Sequence, residues 1–187
     1  LPELEEGNHE ITCADKNYCL CVVYGSNIPT VHITTDTGSM EHIYADKHYK
    51  EPGYATILNQ EGVEYQGNLD YITIRGNYTS TLAKKPFNMK FLGEADLFGM
   101  GASKKWCLLA NHFDKSMLRP EIGFDYAAAL GLEYASQTRI CKLYLNGVYR
   151  GIYIVVEPIQ DGKGQVDLDL SEGDFLIERN ANSDRDE

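Results

Sequence analysis

The sequence predicts an α+β domain, mainly antiparallel sheet with one principal helix. Three observations carry that reading. Thirteen tyrosines and a moderate number of glycines in 187 residues favour strands over a helical bundle. The clearest hairpin signal is Asn146-Gly147, set between two apolar runs. The clearest helical spacing comes once, after Arg119.

Taken in order, Cys19 to Tyr24 and Pro29 to Thr34 read as strands, and Asp36-Thr37-Gly38-Ser39 as a turn. Tyr54 to Asn59 and Tyr71 to Ile74 read as further strands. Phe87-Asn88-Met89-Lys90-Phe91 alternates apolar and polar residues, the period of a half-buried strand. Trp106 to Ala110 is a short apolar run of the kind found in buried strands. Pro120 suits the first position of a helix, where its missing N–H costs nothing, and Glu121 complements the helix dipole. Ile122, Tyr126, Ala129 and Leu130 share one face, and Gly131 can cap the end. Asn-Gly supplies the two positive-φ residues of a type I′ turn between Ile140–Leu145 and Val148–Val156. Gly162-Lys163-Gly164 reads as a loop and Phe175 to Glu178 as a last strand.

The length suits one domain with a real core, residues 1–187, with N-terminal strands in 1–60 and a motif-bearing core in 70–180. No run of about 18 apolar residues exists, so no membrane insertion is expected. The net charge of −11 argues against nucleic acid and against anionic membrane surfaces. Charge is unevenly spread: Arg75 to Arg119 carries a net +5, leaving −16 elsewhere. A cationic segment in an anionic chain points to a negative ligand, phosphate first. The cysteines number five, an odd count that argues against a fully paired disulfide framework. Cys107 and Cys141 read as buried thiols in strands. Cys13, Cys19 and Cys21 lie close enough in sequence for one local bridge. Cys19-x-Cys21 has no matching second pair, so zinc is a weak reading.

The motifs follow one another in a set order. They are Arg75-Gly76-Asn77-Tyr78-Thr79, Lys84-Lys85-Pro86-Phe87 running to Lys90-Phe91, and Leu97-Phe98-Gly99-Met100. Then come Lys105-Trp106 to Asn111, Asp114-Lys115-Ser116-Met117-Leu118-Arg119, Leu143 to Gly147, and Gly162-Lys163-Gly164 to Asp167. This order resembles the spore-coat protein H (CotH) kinase-like family, from about Val31 to about Arg179. The resemblance implies an atypical protein kinase-like fold, ATP and Mg²⁺ as cofactors, and phosphoryl transfer to Ser/Thr of a secreted, cell-surface or spore-coat protein. Relatives continue past Glu187, so the chain is expected to lack the C-terminal part of the domain. Relatives commonly carry Asp or Asn where this chain has Pro120, and an acid where it has Lys142. Those two departures motivate an alternative: a catalytically inactive structural or binding module of a spore-coat, cell-surface or cellulosome-type assembly. A glycoside hydrolase is a weaker reading, since no carboxylate spacing singles out an acid and a nucleophile.

Phosphoryl transfer needs cations on the phosphates, oxygen ligands for a metal, and a carboxylate near the acceptor hydroxyl. Lys84, Lys85 and Lys90 are the candidate cations; Lys85 is preferred because it abuts Pro86 in the more specific part of its motif. Arg75, Asn77 and Glu157 complete the expected cofactor-binding set, Arg75 because guanidinium grips phosphate in two places. Asn111 and Asp114 are expected at the metal, with Asp114 and Arg119 as catalytic residues. Each has a plainer reading: solvated edge lysines, a turn at Gly76, a loop-closing or helix-capping Asp114, and sheet-end charges at Glu157 and Glu178. The histidines show no ligand spacing. Asn77-Tyr78-Thr79 is also a glycosylation sequon.

Overall fold

The computed structural model describes residues 7–13, 16–22, 27–132, 134–159, 166, 168–169 and 171–177. Strands β1 (Gly7–Cys13) and β2 (Lys16–Val22) pair as a separate two-stranded sheet. Seven more strands close into a barrel: β3 (Thr30–Thr35), β4 (Glu51–Asn59), β5 (Gly62–Ile74), β6 (Phe87–Asp96), β7 (Ala102–Leu109), β8 (Thr138–Leu145) and β9 (Val148–Val156). Their order around the barrel is β3-β4-β5-β6-β7-β9-β8. Helix α1 (Glu41–Ala45) lies between β3 and β4, a 3₁₀ turn (Tyr78–Thr81) between β5 and β6, and α2 (Arg119–Ala129) between β7 and β8.

Short connections make nearly every neighbouring pair antiparallel. A closed ring with an odd number of strands cannot alternate direction throughout, so one pair must run parallel. That pair is β3 and β8, in register from Thr30↔Lys142 to Ile33↔Leu145. The barrel interior is filled by alternate residues of each strand, as a small barrel requires. Phe87, Met89 and Phe91 of β6 and Trp106 and Leu108 of β7 point inward, with Ile33, Ile57, Ile72, Leu143 and Tyr153. Each such side chain contributes roughly 1.5–3 kcal/mol by leaving water. The buried Trp106 indole donates to the Ser103 carbonyl at 3.2 Å.

The hairpin at residues 146–147 forms as its dipeptide demands, with φ of 50° at Asn146 and 74° at Gly147. Asn146 does more than turn the chain. Its Oδ1 accepts the Thr35 backbone N–H at 2.8 Å, and its own N–H donates to the Ile33 carbonyl at 2.8 Å. The turn is thereby pinned to the end of β3.

The α+β, protein kinase-like fold expected from the sequence and its resemblance is overturned: the chain is a closed seven-stranded barrel with two α-helices among the described residues. The strand runs were visible, but what closes them is not local. β5 starts at Gly62, nine residues earlier than expected, because its polar first half pairs with β4 at the barrel rim. α2 starts at Arg119, one residue before the Pro120 expected at its first position. Its predicted apolar face is not buried, however: Ile122, Tyr126 and Leu130 are each at least 60% exposed. Phe175 to Ile177 form no strand. Cys107 and Cys141 are buried free thiols, as read. The side chains of Cys13, Cys19 and Cys21, the Gly162-Lys163-Gly164 loop and Glu178 lie outside the described residues. No helix among the described residues is long and apolar enough to cross a membrane.

Candidate functional site

Ile74 of β5, Phe87 of β6 and Leu108 of β7 stand side by side in register at one mouth of the barrel. The segments that leave this mouth, 75–86 and 110–118, face each other across a cleft of about 360 Å³. Arg75, Lys84, Asn111 and Asp114 all line it, with Leu109, Ala110 and Pro86 as apolar wall. A larger cleft of about 710 Å³ lies over the outer wall of β5, β6, β7 and β9. Outward residues of those strands, Asn88, Cys107 and Val156, form one row across the sheet by register. Phe124 of α2 and Leu176 cover that row, and Glu157 sits at its end. Arg75 lines both clefts and joins them.

Lys84 and Lys85 part company, as neighbours on an extended chain must. The half-buried Lys84 reaches across the mouth: its ammonium donates to the Ile152 carbonyl and lies 4.6 Å from the centre of the Tyr153 ring. Burial lowers its pKa, opposed by the charge interaction with Cys141. Lys85 donates to the carbonyls of Ser80 at 2.7 Å and Leu82 at 3.3 Å, which closes the 3₁₀ turn on itself. It lines neither cleft. Lys90 is paired with Asp70 at 2.7 Å on the outer surface of β6. Of the three candidate cations, the structure therefore brings Lys84 to Arg75 and not the preferred Lys85. The signal that separates them is the carbonyl-rich turn at 78–82, which sequence spacing does not reveal.

Asp114 is 8% exposed and holds its loop together. Its Oδ1 accepts the Ser116 hydroxyl at 2.6 Å and the Ser116 N–H at 3.1 Å, while Oδ2 accepts the Arg119 N–H at 2.7 Å. The Ser116 hydroxyl, then these backbone donors, hold its carboxyl below the usual carboxylate range. Arg119 starts α2, and its mostly exposed side chain reaches Asp114 only at 3.8 Å. Asn111 sits at φ 48° and Met117 at φ 62°, two left-handed residues in one short loop. Such strain concentrates where a loop must present groups in a set geometry. Asn111 Nδ2 donates to the Met117 carbonyl at 3.2 Å, and Asn111 lines the cleft.

Gly76 has a local explanation. At φ 83° its Cβ would run into the Thr79 hydroxyl, so only glycine lets the 3₁₀ turn form here. Asn77 is exposed at the start of that turn and makes no side-chain cap. Arg75 takes part in neither of the two ion pairs found among the described residues. Its guanidinium lies by the Cys107 thiol instead, where it opposes the upward push that burial exerts on that thiol. Cys107 donates to Asn88 Oδ1 at 3.2 Å. The sequence marks Cys107 only as a buried thiol and does not single out Asn88, although the alternation of β6 already marks Asn88 as outward-facing.

Residues 72–186 match the family model described as CotH kinase protein. The chain belongs to the CotH family. The matched span begins at the end of β5 and includes every residue of the cleft at this mouth. β1 to β4 lie outside it. No curated protein matches the chain.

The CotH cleft can be tested for the groups its family resemblance implies. Among the described residues, no three His, Cys, Asp or Glu side chains cluster as a metal cage. Mg²⁺ does not need one, since it is commonly held by one or two protein oxygens together with substrate phosphates and water. Asn111 and Asp114 bring side-chain oxygens of that kind to one wall, and Arg75 and Lys84 are cations on the facing segment. The donor set fits a metal-bound polyphosphate.

Proposed function

We propose that this CotH domain is a phosphotransferase that binds ATP with Mg²⁺ in the cleft at the β5–β6–β7 mouth and phosphorylates Ser/Thr of a secreted or surface protein. One observation carries the reading: in a chain of net charge −11, two cationic side chains and two oxygen-bearing side chains, from two facing segments, line one cleft of about 360 Å³. Arg75 would grip phosphate oxygens with its planar fork and Lys84 would add a compact charge. Asn111 and Asp114 would hold the metal. Bound Mg²⁺ supplies neutralisation of the charge that develops on the phosphoryl oxygens. A carboxylate held below its usual range is a weak base, so Asp114 would orient the acceptor hydroxyl and the metal rather than retain a proton. Arg119 would steady Asp114 through its backbone N–H. Asn77, Lys85 and Glu157 have supporting roles at most: the first on the surface, the second closing the turn, the third in the larger cleft.

Calorimetric titration of the chain with ATP, with and without Mg²⁺, tests this. Saturable binding that requires Mg²⁺ supports the reading; absence of binding in both arms overturns it. A second reading, a CotH module of a surface assembly without catalysis, has its own observation. Asp114 already satisfies three donors within its own loop, and Pro120 and Lys142 stand where relatives commonly carry other groups. ATP binding without transfer to any Ser/Thr protein would favour it.

A further inference from the structure

The opposite mouth of the barrel carries a feature that phosphoryl transfer does not use. There the β4–β5 turn, the β6–β7 turn, the residues just before β3 and the start of β8 surround a cleft of about 430 Å³. Its wall is polar. Gln60 donates to Asn27 Oδ1 at 2.7 Å, which holds the two amides side by side. Asn27, Gln60, Glu61 and Arg139 all line the cleft, and between them their amide, carboxylate and guanidinium groups can both donate and accept hydrogen bonds there.

The remaining wall is the ring of Phe98, and its backbone is unusual. Phe98 lies at φ 60° and Gly99 at φ 70°, with the Met100 N–H donating to the Leu97 carbonyl at 3.1 Å. This is a tight turn whose first central position suits Asn or Gly; a bulky residue there is strained. Glu64 holds the strain in place: its Oε1 accepts the Phe98 N–H at 2.7 Å. One side of the ring packs on the core and the rest forms cleft wall. Leu97-Phe98-Gly99-Met100 is also a sequence motif to which the phosphate site assigns no role.

The chemistry narrows the ligand. Two carboxylates and one guanidinium leave the wall near neutral and slightly negative, which disfavours phosphate and other anions. Among the described residues no carboxylate or histidine cluster suits a metal. Planar amide, carboxylate and guanidinium groups that both donate and accept match vicinal hydroxyls, each of which does both. The aromatic ring of Phe98 in the same lining adds an apolar surface suited to the C–H side of a pyranose. We infer that this mouth is a binding site for a neutral saccharide.

The test is a ligand-observed NMR and calorimetric titration of the chain with neutral gluco-, xylo-, manno- and N-acetylglucosamine oligosaccharides. Saturable binding of at least one, with a dissociation constant of about a millimolar or tighter, is expected. Arg139→Ala and Phe98→Gly should each weaken it about tenfold or more. Glycine is free to adopt the left-handed turn, so Phe98→Gly should keep the barrel, as read by circular dichroism. Lys84→Met, at the other mouth, should leave saccharide binding unchanged, so this result stands apart from the ATP titration. No saturable binding by any of the four series, or binding that survives both substitutions, would overturn the inference.

Discussion

The Asp114 carboxylate accepts the backbone N–H of Arg119 at 2.7 Å, and so ties the loop after β7 to the first turn of α2. Asp114 also lines the cleft, which couples the order of the loop to the chemistry proposed for it.

Asp114→Ala should lower both stability and activity, and Asp114→Asn should separate the two. Asparagine retains an acceptor for the Arg119 N–H but not the charge, so it should recover part of the melting temperature. Transfer of phosphate should remain down by about 100-fold or more if Asp114 serves the chemistry. Activity within a few-fold of wild type for Asp114→Ala would refute that role.

Acid should act through the same residue. Its folded pKa lies below the ordinary value, so its contribution to stability is fully present above about pH 4. That contribution is lost as pH falls through the lowered folded value. Thermal melts between about pH 5 and pH 2 should show a steeper loss for wild type than for Asp114→Asn.

Lys84→Met should reduce Mg·ATP affinity by about tenfold or more, measured by calorimetry, since it removes one of two cations on the cleft. Stability should move the other way. Burial lowers the Lys84 pKa, so the unfolded chain binds more protons between the folded value and the ordinary one near about 10.4. Wild-type stability should therefore gain from Lys84 as pH rises through that window, and Lys84→Met should lack that gain.

Asn146→Ala should destabilise the barrel by about 2 kcal/mol in urea unfolding, because it strands the Thr35 N–H and places a Cβ residue without a local partner at φ 50°. Asn146→Gly should cost less, since glycine keeps the turn.

Neither Cys107 nor Cys141 should react with a thiol reagent at pH 8 until the chain unfolds. Burial raises both thiols, and Cys141 is pushed up to about 12. Mass spectrometry after alkylation in native and denaturing buffer checks this.

The elements legible in sequence were those set by local rules. Asn146-Gly147 dictates its turn, Pro120 marks the start of α2, and alternation from Phe87 to Phe91 marks a half-buried strand. What sequence did not show was relational. Barrel closure depends on β3 meeting β8, which no local pattern encodes. The exposed face of α2 reads as a core stripe because apolar spacing reports amphipathicity and not whether another element covers it. At the cleft, Arg75, Asn111 and Asp114 were all visible as a cationic and amide-rich stretch. The choice between Lys84 and Lys85 turned on where the Ser80 and Leu82 carbonyls point, a fact of the folded turn alone.

The parallel contact between Thr30–Ile33 and Lys142–Leu145 also sets an order in time. A chain emerging from the ribosome can pair β3 through β7 in succession, each strand with the one before it. It then holds an open ribbon with two bare edges until residues more than a hundred positions later arrive. Ring closure spans the greatest sequence separation of any strand pair in the barrel, so it should come late, and until then edge-to-edge association between nascent copies competes with folding.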